Sequence, residues 1–201
     1  MRLVPRVPPF DREATYEDLK KIPDMMVAEM VGGELHAFPR PAFPHANLAT
    51  VISVLIGGAF HLGRGGPGGW LILFEPELHF GRDVLIPDFA GWRRTRLPSV
   101  PDVPWLTLAP DWACEFLSPS TAVFDRTRKL EIYAREGVSW MWMIDPAART
   151  LEIFRLEEGC WSVVGVHGRN AVVRAEPFTE IELDLSSFWA DLAKPTSDAR
   201  Y

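Results

Sequence analysis

Residues 84–91 read VLIPDFAG and residues 112–118 read WACEFLS, and a single carboxylate interrupts each of these apolar stretches, Asp88 in the first and Glu115 in the second. Short apolar runs bounded by turn residues are typical of buried strands. Because side chains alternate along a strand, each carboxylate lies on the face opposite its immediate neighbours. The sequence therefore predicts two strands that each carry one acid among apolar residues.

A lone acid on a buried strand must be paired, neutralised or bound to a metal, because burying a naked carboxylate is costly. Either acid alone is explained as well by a salt bridge or a strand-end cap. Two acids on neighbouring strands repel each other unless a cation lies between them. Hard divalent ions such as Mg²⁺ favour such oxygen-rich sites. Together, Asp88 and Glu115 are predicted to bind a metal ion.

The helix predicted over residues 122–136 adds a cation to this pair. Arg126, Lys129 and Tyr133 share one helical face through their i, i+3 and i+7 spacing. From that face Lys129 could orient an attacking water and stabilise the charge on a phosphate under attack. The alternative is an exposed lysine paired with Asp125 four residues earlier.

Three further side chains are candidates for supporting roles. His45 lies at the start of a predicted helix, where it could touch a phosphate, although a capping or packing role is equally consistent with the pattern. Glu75 and Glu77 precede the Asp88 strand, and one of them is expected to face the metal. We favour Glu75.

The rest of the chain predicts one α/β domain over residues 1–201, preceded by a loose Pro-rich arm over 1–14. Residues 27–38 form a predicted hairpin that turns at Gly32-Gly33. Helices are also predicted, at 15–19, 44–62 and 185–192. Further strands are predicted at 70–80, 84–92, 112–117, 140–144, 151–156, 161–166 and 171–174.

Composition limits the classes of protein that this chain can belong to. A signal-peptide-length apolar stretch and a run of about 18 apolar residues are both absent from the sequence, which predicts a cytoplasmic protein with no membrane span. Cys114 and Cys160 could pair, but a cysteine in an apolar run is typically a small buried hydrophobe. The net charge of −6 argues against a non-specific nucleic-acid binder, so any nucleic acid must be bound by local basic clusters such as residues 92–96 and 126–129.

An ordered series of short motifs runs along most of the chain. It consists of EMVGGEL at 29–35, His45, Pro87-Asp88, EFLSPST at 115–121, Asp125, Lys129, Tyr133, Gly137-Val138 and WMIDP at 142–146. Over residues 15–190 this series resembles the Uma-type family of restriction-endonuclease-like proteins, within the PD-(D/E)XK nuclease superfamily. The resemblance implies a twisted mixed β-sheet flanked by helices. It also implies Asp88 and Glu115 as ligands of Mg²⁺ or Mn²⁺, Lys129 as the catalytic lysine, and a supporting role for Glu34.

One position departs from the superfamily pattern. The acid-x-Lys tripeptide of that pattern would place a lysine at position 117, where this chain has Leu117. The resemblance therefore requires Lys129 to reach the site from the helix.

The leading hypothesis is a magnesium-dependent endonuclease that hydrolyses DNA. The alternative is a catalytically silent nuclease-fold domain that binds nucleic acid or a protein partner, which the acidic net charge and Leu117 favour. A metal-dependent hydrolase of smaller phosphodiesters is a third hypothesis. A homodimer is also expected, because two symmetric sites cut both strands of a duplex most simply.

Overall fold

The protein is described from a computed structural model that covers residues 12–40 and 42–192. Most of the predicted N-terminal arm, residues 1–11, lies outside the described residues. The helices are α1 (Tyr16–Leu19), α2 (Phe43–Ile52, continued by the π-helical segment Ser53–His61), α3 (Ala122–Phe124, π-helical Asp125–Lys129, then Leu130–Arg135) and α4 (Ser186–Trp189). The strands are β1 (Met26–Val31), β2 (Glu34–Pro39), β3 (Trp70–Phe74), β4 (Leu78–Phe80), β5 (Asp83–Leu85), β6 (Phe89–Arg93), β7 (Trp112–Phe116), β8 (Trp140–Asp145), β9 (Thr150–Glu157), β10 (Cys160–Gly168), β11 (Val172–Val173) and β12 (Leu183–Asp184).

A six-stranded mixed sheet forms the centre of the molecule, in the order β10-β9-β8-β7-β6-β3. Only β7 and β8 run parallel within it, and helix α3 makes the crossover that a parallel pair requires. Strand β6 pairs antiparallel with β7, and Phe89 lies opposite Cys114. Asp88, one residue before β6, is therefore brought next to Glu115. The predicted mixed α/β architecture is confirmed.

A second, four-stranded antiparallel sheet has the order β2-β1-β5-β4. Val31 pairs with Glu34, so Gly32-Gly33 forms a two-residue turn, and both glycines have positive φ, 63° and 81°. A turn with two positive φ angles suits glycine because it has no Cβ. The predicted hairpin over residues 27–38 is confirmed.

Two strands that the sequence predicts as continuous are divided between the two sheets. The predicted strand over 70–80 becomes β3 and β4, and the one over 84–92 becomes β5 and β6. Each break contains a proline, Pro76 and Pro87, which cannot donate a ladder hydrogen bond. These breaks matter for function because Glu75 and Asp88 lie in them.

Helix α2 differs from the sequence-based expectation. By length and composition alone, the helix Phe43–His61 could cross a membrane, whereas no span was expected. Its side chains Leu48, Ile52 and Ile56 are fully buried in the core against the six-stranded sheet, and 33% of the apolar segment as a whole is buried. The absence of a membrane partner stays a prediction.

The two cysteines have different environments, and both are free. Cys114 is buried in β7, and burial raises the pKa of its thiol well above the ordinary value. Cys160 is exposed at the start of β10, so the expectation of a buried cysteine is wrong there. Strand β10 is the last strand of its sheet and has no neighbouring strand on its outer side among the described residues to cover it.

Candidate active site

A cavity of about 620 Å³ lies where the two sheets meet the first turns of α2 and α3. Five of the six side chains predicted for the site line it: His45, Glu75, Asp88, Glu115 and Lys129. Its volume is in the range of about 300–1,000 Å³ typical of ligand pockets. The fold therefore brings together residues that are up to 84 positions apart in sequence (His45 to Lys129).

The first group in the cavity consists of His45, Glu75 and Asp88, whose candidate ligand atoms all lie within 4.8 Å of one another. Asp88 is only 7% exposed, and its Oδ2 atom accepts a hydrogen bond from the backbone N–H of Phe116 at 2.5 Å. His45 Nε2 lies 2.7 Å from Asp88 Oδ1. The Nε2 atom is buried, yet the contact lacks the alignment of a hydrogen bond.

Backbone geometry holds Glu75 and Asp88 beside each other. Glu75 follows β3 with a φ of +45°, which is unusual for a residue with a Cβ, and its N–H donates to the carbonyl of Asp88 at 3.0 Å. Partial desolvation, followed by the charge of Asp88, raises the pKa of Glu75. A cation between the two carboxylates would remove this mutual repulsion. Glu77 points elsewhere, since its carboxylate contacts Tyr16 and His79.

The second group is centred on Lys129, which is 2% exposed. Its ammonium nitrogen lies 2.6 Å from Glu115 Oε1, 2.9 Å from Glu29 Oε1 and 3.6 Å from Asp125 Oδ1. Desolvation alone would lower the pKa of Lys129, but the three carboxylates outweigh it and raise that pKa well above the ordinary value. The lysine is therefore held in its charged form, and it is not the exposed helical partner considered from sequence.

The pKa values of the carboxylates in this group are raised as well, which for an acid favours the neutral form. Burial raises the pKa of Glu115 well above its ordinary value, and burial likewise raises the pKa values of Glu29 and Asp125. Tyr133 donates a hydrogen bond to Glu115 Oε1 at 2.7 Å. Three carboxylates around one ammonium leave an excess of negative charge in a buried place, which favours a proton or a cation nearby.

The face of α3 that points into the site differs from the predicted one. Asp125, Lys129 and Tyr133 reach the cluster, whereas Arg126 forms a bidentate ion pair with Glu152 at 2.6 and 2.7 Å. In an α-helix, side chains four residues apart rotate gradually around the helix axis. A π-helical turn contains more residues, so within it side chains four apart rotate slightly in the opposite direction. The π-helical segment Asp125–Lys129 therefore keeps residues at i, i+4 and i+8 on one face.

Glu29 is a residue of the cavity that the predictions from sequence do not include. It is 4% exposed on β1, and besides Lys129 it accepts a hydrogen bond from the N–H of Ile86 at 2.7 Å. The signal was available, because Glu29 interrupts the apolar stretch MVAEMV just as Asp88 and Glu115 interrupt theirs. Glu34 does not reach the cavity, and its side chain is 71% exposed, 3.7 Å from His36.

The predicted metal ligands also fall into different groups. Asp88 groups with His45 and Glu75, whereas Glu115 is absent from that set and contacts Lys129 and Tyr133. Leu117, at the position where the superfamily pattern has a lysine, is buried, and the Lys129 ammonium group reaches Glu115 from the helix. The cavity thus combines a three-residue donor set with a buried lysine–carboxylate cluster.

Comparisons with known proteins agree with this architecture. No curated protein matches the chain. Among solved structures, it is similar to one described as a "putative nuclease belonging to DUF820" from Anabaena variabilis, with 21% sequence identity and a TM-score of 0.71. That similarity covers 88% of this chain and 98% of the other. The model of the Uma2 family, described as "Putative restriction endonuclease", matches residues 14–186. The chain belongs to the Uma2 family.

Proposed function

We propose that this protein is a metal-dependent nuclease that hydrolyses phosphodiester bonds in DNA. The observation that carries the proposal is one cavity containing both a cation-ligand set (His45, Glu75 and Asp88) and a buried, charged lysine (Lys129). Family membership supports the same reaction class.

The donor set fits a divalent cation. Two carboxylates and one imidazole converge within 4.8 Å, and the buried His45 Nε2 atom has no hydrogen-bond partner among the described residues. Carboxylate oxygens suit Mg²⁺ and Mn²⁺, and an imidazole in the set is tolerated better by Mn²⁺. When bound, such an ion polarises a phosphoryl oxygen and lowers the pKa of water. Glu115, predicted from sequence as a second ligand, is assigned instead to the lysine cluster.

The protein's own groups then have separate tasks. The Lys129 ammonium is placed to stabilise negative charge that develops on the phosphate oxygens. Glu29 and Asp125 keep that ammonium charged and in place. Glu115 is suited to accept the proton of an attacking water, because it lies in the same cavity and burial raises its pKa above the ordinary value. Tyr133 fixes the orientation of Glu115 through its hydrogen bond.

Calorimetric titration of Mg²⁺ and Mn²⁺, with supercoiled-plasmid cleavage assayed on the same samples, tests this function. Asp88→Asn keeps an acceptor for the Phe116 N–H but removes the charge, so metal binding and cleavage should both be lost. Glu75→Gln should weaken metal binding at least about tenfold. Glu77→Gln is the matched control, because Glu77 lies two residues away and contacts Tyr16 and His79 instead.

Absence of metal binding in the wild type would refute the proposed metal site and leave a nuclease-like scaffold in a binding role. Metal binding with cleavage of small phosphodiesters, but not of DNA, would replace the polymer with a smaller substrate. If Glu75→Gln and Glu77→Gln weaken metal binding equally, the effect of the Glu75 substitution is not specific to the site.

A further inference from the structure

The cavity has an apolar wall next to its charged groups. Its lining includes Val27, Phe38, Ile86, Phe116 and Pro119. Catalysis on the phosphate backbone alone has no use for such a wall, because phosphate and sugar are polar. A nucleobase does use one, since aromatic and apolar side chains hold bases by stacking and burial.

The size of the cavity limits what can reach its charged groups. The cavity volume of about 620 Å³ lies in the range of pockets that hold a single small ligand. Asp88 and Glu115 lie deep in the cavity and are only 7% and 4% exposed, whereas Glu75 is exposed. Groups as deeply buried as Asp88 and Glu115 are reached more readily by one nucleotide unit of an unpaired strand than by a stacked duplex.

The distribution of charge also favours a single nucleotide over a duplex. Proteins that follow the duplex backbone neutralise many phosphates with clustered Lys and Arg, yet this chain has a net charge of −6. At the cavity itself the basic groups are few: besides Lys129, the lining contains Arg40 and Arg149. Two arginines can hold the phosphates flanking one nucleotide, but they form no track along a duplex.

We propose that the cavity takes a single nucleotide of an unpaired DNA strand, with its base against the apolar wall and its phosphate at the charged groups. The preferred substrate is then single-stranded DNA or a frayed end, and continuous duplex is a poor one. This inference rests on the proposed nuclease function for its choice of DNA.

Two adjacent alanines offer a matched pair for the test. Ala147 and Ala148 are both exposed in the turn after β8, and the N–H of each donates to Asp145 Oδ1 at 2.9 Å. Only Ala147 lines the cavity. Ala147→Trp therefore places an indole in the cavity, while Ala148→Trp adds the same bulk outside it. Neither side chain is buried, so both variants should fold.

The measurement is fluorescence anisotropy with two labelled probes, a single-stranded oligothymidylate 12-mer and a closed dumbbell duplex with no ends, each in Ca²⁺ to slow hydrolysis. The wild type should bind the single strand at least about tenfold more tightly than the dumbbell, the effect expected for one stacked base. Ala147→Trp should weaken single-strand binding about tenfold, and Ala148→Trp should change it less than about twofold.

The outcomes separate this inference from the proposed function. Plasmid cleavage that depends on Asp88, with equal binding of both probes and no effect of Ala147→Trp, overturns the single-nucleotide cavity and leaves the nuclease intact. Selective single-strand binding that Ala147→Trp abolishes, without hydrolysis in Mg²⁺ or Mn²⁺, supports the cavity and refutes the enzyme. Failure to bind either probe overturns the inference.

Discussion

At the residue scale, Lys129 holds the candidate site together. Within the described residues, its ammonium group is the only cation that contacts Glu29, Glu115 and Asp125. A buried ion pair adds little net stability over an apolar pair, but removing one partner leaves the other charges uncompensated. The lysine is therefore both a candidate catalytic group and a structural requirement of the three acids.

We predict that Lys129→Met loses DNA cleavage and destabilises the metal-free protein by about 3–5 kcal/mol. Urea denaturation in the presence of a chelator measures the free energy of unfolding, and plasmid cleavage is assayed separately below the melting temperature. Lys20→Met is the control, because Lys20 is half exposed and paired with the exposed Glu17; its effect should stay within about 0.5 kcal/mol. Similar stabilities of the Lys129 variant and the wild type would contradict the buried cluster.

At the element scale, the departures from regular geometry position the site. The π-helical segment of α3 aligns Asp125, Lys129 and Tyr133, and the strand breaks at Pro76 and Pro87 contain the candidate ligands Glu75 and Asp88. The end of α2 is similarly constrained. The chain after this helix folds back so closely that a Cβ on Gly66 would lie 2.6 Å from the Cβ and 2.9 Å from the carbonyl oxygen of Ala59.

The two glycines Gly58 and Gly66 should respond to alanine in opposite directions. Gly66→Ala should destabilise by about 1–3 kcal/mol, because the contact with the Ala59 backbone cannot relax without moving the helix end. Gly58→Ala adds a Cβ with nothing within 4 Å inside the helix, so it should stabilise by roughly 0.4–1 kcal/mol. Thermal denaturation of both variants decides this, and a destabilised Gly58→Ala would mean that the open space does not exist.

At the scale of the whole molecule, the site forms between two sheets. Glu29 comes from the four-stranded sheet, Glu115 from the six-stranded sheet, and Lys129 from the crossover helix. The cavity therefore depends on the packing of these units against one another.

The outer edge of the six-stranded sheet supports the proposal of a homodimer. Strand β10 is at the end of the sheet and carries Val163 and Val166, which are 58% and 62% exposed. Exposed apolar edge strands pair readily with a second chain. Sedimentation at micromolar concentration should show a dimer that Val163→Lys dissociates. Val54→Lys, on the exposed face of α2, should remain dimeric. A monomeric wild type would refute the proposed homodimer.

The sequence by itself predicted the mixed α/β class, the hairpin at Gly32-Gly33 and the strand that carries Glu115, because apolar periodicity and turn glycines are local properties. Asp88, predicted on a strand, lies instead in the break before β6. It also selected Lys129 and preferred Glu75 to Glu77, and the structure brings both selected residues to the cavity. Their chemical roles stay predictions.

Only the tertiary structure decided which acids share a group. Glu29 lies on the four-stranded sheet and contacts Lys129 of helix α3. The residues next to Glu29 in sequence do not show that these two side chains meet. His45 joins Glu75 and Asp88, while Glu115 does not, because the start of α2 packs beside the ends of β3 and β6. Sequence spacing reports which face of an element a residue occupies. The distances between elements, and hence ligand sets and buried ion pairs, arise only when the elements pack.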